Sequence, residues 1–85
     1  NQEAIVKALR KIGASVQPLH TIGRGCPDLL VGYRGKNFLL EVKDGSLSPS
    51  RRELTPDEYA WRDAWRGSVS IIESVDDALD RMLRA

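Results

Sequence analysis

Asp28, Glu41 and Lys43 are the residues of this chain whose types and spacing suit catalysis. Glu41 and Lys43 stand two apart in an apolar run. Residues i and i+2 of a strand share a face about 6–7 Å apart, so the two would project side by side. Asp28 opens the preceding run. If the two runs pair through the short connection Arg34-Gly35-Lys36, the start of one lies opposite the end of the other, and Asp28 meets the Glu41/Lys43 pair at the open end of the hairpin. Two carboxylates are hard oxygen ligands suited to Mg²⁺ or Mn²⁺. A lysine beside them can orient water or steady a phosphate. The combination fits phosphodiester hydrolysis. On spacing alone a plainer reading stays open, with Glu41 and Lys43 as solvated strand-end charges and Asp28 as a turn cap.

The elements that must position these residues follow from periodicity. Ile5, Val6, Leu9 and Ile12 mark one face of a first helix, which Gly13 stops. Ser15 to His20 reads as a weak strand, and Pro18 puts it at a sheet edge. After a loop with Gly23, Gly25 and Pro27, two strands are expected over Asp28 to Tyr33 and Asn37 to Lys43, forming the centre of the sheet. Their near-continuous apolar runs, Leu29-Leu30-Val31 and Phe38-Leu39-Leu40, predict strands covered on both faces. A polar loop leads to a dense helix start: Thr55 as N-cap, Pro56 at the first helical position, Glu58 completing a capping box, and Leu54 with Tyr59 as a hydrophobic staple. That helix is expected to run to about Arg66 and stop at Gly67. Val69 to Ile72 gives a fourth strand, and Ser74 with Asp77 caps a last helix bearing Ala78, Leu79, Met82 and Leu83. The expected order is αβββαβα, a single small α/β domain spanning 1–85.

Composition bounds the rest. The chain has 85 residues, and 13 Lys+Arg against 12 Asp+Glu leave +1, so charge balance alone does not announce a nucleic-acid binder. With 41% hydrophobic and 29% charged residues, disordered and collagen-like classes are excluded. One Cys and one His rule out a disulfide framework and a zinc finger. No apolar run approaches the ~18 residues of a membrane span, and a cytoplasmic location is expected. A lone core this small rarely supplies more than about 3–5 kcal/mol, which favours self-association.

The strings GCPDLLVG and FLLEVK, with Glu3 in the first helix and the Leu-Thr-Pro start of the later one, resemble the PD-(D/E)XK nuclease superfamily. Within it they look like the VRR-NUC group in its minimal stand-alone phage and bacterial form, and the resemblance covers essentially the whole chain. It implies a restriction-endonuclease-like mixed sheet flanked by helices. It also implies a metal held by Asp28, Glu41 and the main-chain carbonyl of Val42, with Lys43 as the catalytic lysine and Glu3 supporting the site through water. The implied activity is a Mg²⁺- or Mn²⁺-dependent endodeoxyribonuclease that needs no organic cofactor and acts as a homodimer on branched DNA such as four-way (Holliday) junctions. Members often carry a glutamine where this chain has Glu58, which stands either as a capping-box residue or as an accessory group of the site.

Arg24, four residues before Asp28, and the adjacent Arg51 and Arg52 are candidates for phosphate contact; singly, each also reads as a solvated charge. His20 is a weak candidate for a general base. Cys26 reads as a packed small residue, since no partner base is evident. Trp61 and Trp65, four apart, suit base stacking, core packing or an interface between copies. The rival functions are a module that binds DNA without cutting it, a nuclease acting on flaps rather than junctions, and a small interaction protein whose charges are incidental.

Overall fold

The computed structural model describes residues 1–84. Its elements are α1 (Gln2–Lys11), β1 (Ser15–Pro18), β2 (Leu29–Tyr33), β3 (Lys36–Val42), a 3₁₀ turn (Pro49–Arg51), α2 (Pro56–Ala64), β4 (Ser70–Ile72) and α3 (Val75–Leu83). This is the expected αβββαβα order. The four strands form one mixed sheet in the order β1-β2-β3-β4, antiparallel except for the parallel β3–β4 pair. No helix among the described residues is long and apolar enough to cross a membrane.

Local chemistry accounts for the boundaries. α1 ends because Gly13 takes φ +94°, which lets its N–H reach the Arg10 carbonyl and the Ala14 N–H reach Leu9, a Schellman closure. Pro18 lies in the edge strand β1, where a missing N–H costs no central ladder bond. β2 and β3 are joined by Arg34 and Gly35 alone, both at positive φ (51° and 78°), as a type I′ hairpin turn requires. α2 has the full capping box: Thr55 accepts from the Glu58 N–H while Glu58 accepts from the Thr55 N–H. It stops at Ala64, two residues short of the expected end, because Trp65 turns extended.

The core lies on one face of the sheet. Leu29, Val31, Phe38, Leu40 and Ile72 pack against Ile5 and Leu9 of α1 and Ala78 and Met82 of α3, all buried. Alternation sends Leu30, Leu39, Glu41 and Ile71 to the other face. There the expectation of full cover fails. α2 crosses only part of that face, leaving Leu30 38% and Ile71 39% exposed. The apolar runs reported two apolar faces, not two layers of cover.

Candidate functional site

β2 and β3 pair Leu29 with Leu40; one step further along that register Asp28 faces Glu41, and two steps bring Pro27 to Val42. The Val42 N–H donates to Asp28 Oδ2 at 2.7 Å, so the main chain of β3 fixes the Asp28 carboxylate. The backbone of β3 alternates sides. The Lys43 N–H donates across to the Ile72 carbonyl of β4 at 2.8 Å, so Val42 turns its N–H and C=O the other way, toward the β2 side. Opposite Val42 stands Pro27, which has no N–H to give to that carbonyl. A main-chain carbonyl beside two carboxylates is the donor set that a hard cation takes.

Glu41 is the buried charged residue among the described residues, only 4% exposed. Burial, then its hydrogen bond with Asp28 and the Asp28 charge, then the charge of Glu58, push its carboxyl up to about 9. Without a cation, Glu41 therefore keeps its proton at neutral pH. The Asp28 and Glu58 carboxyls each come close to that of Glu41, and a bound divalent cation would relieve the repulsion that the proton relieves here. Among the described residues no three His, Cys, Asp or Glu side chains form a ready-made metal cage. The donors on offer are two carboxylates and one main-chain oxygen, which suits an ion that retains several waters.

Lys43 reaches the same place from the end of β3, but its ammonium is engaged: Nζ donates to Glu58 Oε1 at 2.6 Å. The same oxygen accepts from the Thr55 N–H at 2.8 Å. One oxygen of Glu58 is thus both the capping-box acceptor and the partner of the lysine. Burial works to raise the Glu58 carboxyl, yet the hydrogen bonds from Lys43 and Thr55 with the Lys43 charge hold it below the usual glutamate range.

Gly25 makes the close approach possible. A Cβ there would lie 2.2 Å from the Asp57 carbonyl oxygen, so only glycine lets the loop leading to Asp28 touch the start of α2. Between them a crevice with room for about one water is lined by Gly25, Pro27, Glu41, Leu54, Glu58 and Arg62.

The remaining candidates fall outside this cluster. Glu3 is exposed on the first turn of α1 and contributes nothing to the Glu41 shift. Arg24 is exposed at φ +55° in the loop before Asp28, and Arg51 is exposed in the 3₁₀ turn. Arg52 clamps its own loop, donating to the Gly45 carbonyl at 2.9 Å and pairing with Glu73 at 3.3 Å, which ties it to structure rather than leaving it for phosphate. His20 is exposed in a turn. Burial, then the Glu41 and Asp28 charges, raise the Cys26 thiol, which keeps it protonated and unsuited as a nucleophile. Arg62, beside Glu41 and Glu58, is a cation that the sequence reading passed over; it lies one helical turn past Glu58.

Comparison of the chain with models of known families, with curated proteins and with solved structures finds no match.

Proposed function

We propose that this chain is a Mg²⁺- or Mn²⁺-dependent endonuclease of the VRR-NUC type that hydrolyses phosphodiester bonds of DNA. The observation that carries the reading is the meeting of Asp28, Glu41 and Lys43 at the open end of one hairpin, with Asp28 held by the Val42 N–H. In this reading Asp28, Glu41 and the Val42 carbonyl hold the cation, which when bound screens the phosphate charge and acidifies water. Lys43 leaves Glu58 to donate to a non-bridging phosphate oxygen or to the attacking water. Arg62, which lines the crevice beside Glu41, takes a backbone phosphate, and the exposed Arg24 and Arg51 are the further candidates for phosphate contact. Branched DNA and a homodimer remain part of the proposal, because two equivalent sites on a two-fold axis cut two equivalent strands of a junction, and a core this small gains from a second copy.

End-labelled four-way junction, flap, splayed and linear duplex DNA incubated with Mg²⁺ or with EDTA test the proposal. Metal-dependent paired cuts on the junction support it; metal-dependent cutting of flaps alone keeps the nuclease and discards the junction. The second reading, a module that binds DNA without cutting, is favoured by one observation, the capture of Lys43 by Glu58. Tight binding of the panel with no cutting of any member in Mg²⁺ or Mn²⁺ would establish that reading instead.

A further inference from the structure

The half of the second sheet face that α2 leaves open forms a groove of about 570 Å³, within the range of small-ligand sites. Leu30 and Leu39 make its floor, Trp61 and Trp65 one wall, and Asn37 and Ser68 stand at its polar edges. The two indoles are stacked, 4.7 Å between centroids and 18° between planes. Trp65 is also held from below: a Cβ on Gly67 would come within 2.8 Å of its Nε1, so the absence of a side chain at 67 seats the ring. Even so, Trp65 is 48% exposed. A fixed, half-exposed indole above an apolar floor is a stacking platform lacking its last layer.

Two features select the occupant. Trp61 lines both this groove and the crevice that holds Glu41 and Glu58, so the groove lies next to the candidate catalytic centre. Arg62 and Arg66 are exposed beside the two tryptophans, and neither takes part in an ion pair among the described residues. Asp63, the acid between them, falls on the opposite side of α2, about 200° from Trp61 at 100° per residue. An apolar slot with hydrogen-bonding edges, next to the crevice that the exposed Arg62 lines, matches a flat heteroaromatic ring on an anionic backbone.

We propose that this groove binds one unpaired nucleobase of the DNA, stacked on Trp65, while the backbone of the same strand runs along Arg62 toward Asp28 and Glu41. The inference rests on the DNA-cleaving reading above and adds what distinguishes the substrate: a strand with a base free to leave the helix, as at a junction, bulge or flap. No bond is made or broken in this step.

Both tryptophans of the chain lie in the groove, so intrinsic fluorescence reports its occupancy. The whole protein in EDTA is titrated with a short duplex carrying one unpaired thymidine, the same duplex with an abasic residue at that place, and the fully paired duplex. The expected result is quenching by the unpaired thymidine only, with affinity about 5- to 100-fold weaker for the abasic form. Trp65→Ala should show the same loss, and Trp65→Phe should restore much of it. Leu30→Asp, at the floor, is the second variant and should lose the base preference as well. Equal affinity for the abasic and unpaired-base duplexes, or quenching by neither, overturns the proposal. So does a change of oligomeric state in Trp65→Ala by light scattering, which would make the groove a contact between copies. Because binding is read without metal, wild-type protein that cuts DNA but ignores the missing base discards the groove alone; protein that neither binds nor cuts discards both readings.

Discussion

Glu58 Oε1 lies 2.6 Å from Lys43 Nζ and 2.8 Å from the Thr55 main-chain nitrogen, so one oxygen closes the cap of α2 and holds the lysine at the end of β3. The two tasks separate by substitution. Glu58→Gln keeps an oxygen for the Thr55 N–H but removes the charge facing Lys43. Its expected thermal shift is small, under about 1 kcal/mol, whereas Glu58→Ala loses both contacts and about 1–2 kcal/mol of stability. Calorimetric or circular-dichroism melts of the two variants check this.

Lys43→Ala should leave the sheet intact, since the main-chain bond from Lys43 to Ile72 survives the change. Cleavage should fall by at least about 100-fold with DNA affinity within a few-fold of wild type. Parent-rate cleavage by this variant would sink the catalytic assignment.

The stability of the metal-free protein should fall as pH rises. The Glu41 carboxyl is raised from an ordinary 4.5 to about 9 in the folded chain. Between those values the unfolded chain has released the proton and the folded chain still holds it, so the folded state binds more protons and loses ground with each unit of pH. Melting temperature should therefore be higher at pH 5 than at pH 8. Glu41→Gln, which fixes the neutral form, should flatten this slope and melt several degrees above wild type at pH 8 in EDTA. A wild-type melting temperature that climbs from pH 5 to 8, with the same climb in Glu41→Gln, would contradict it.

Addition of Mg²⁺ or Mn²⁺ should oppose that slope. A cation present at about 100 times its Kd adds about 2.7 kcal/mol of stability. It displaces the Glu41 proton, so the gain should grow from pH 6 to pH 8. Asp28→Asn and Glu41→Gln should each abolish it, as thermal melts with and without metal would read.

The hairpin, the order of elements and the meeting of Asp28 with Glu41 were legible in the sequence because each rests on local rules. A strand period of two, a Gly-containing turn and a register continued past Leu29–Leu40 suffice to bring those side chains together. The Lys43–Glu58 contact was not legible, since Thr55-x-x-Glu58 specifies a cap whatever the helix packs on. Nor was the uncovered sheet face. Leu30 and Ile71 have the apolar character of buried strand residues, and only the short reach of α2, which ends when Trp65 turns extended, leaves them in solvent. Arg52 looked free in a polar loop because its partners, the Gly45 and Leu47 carbonyls and Glu73, come from the chain's path rather than from its neighbours in sequence.

Gly25 bears no chemical group, yet the contact it permits sets the spacing between two elements of the site. With φ +82° and the Asp57 carbonyl standing where a methyl group would go, alanine at this position must push the start of α2 away from the loop that carries Asp28. A map of tolerated substitutions would thus show a position as intolerant as a reacting residue, although nothing there touches a substrate. The gap between the loop of Asp28 and the helix of Glu58 is gauged by a hydrogen atom.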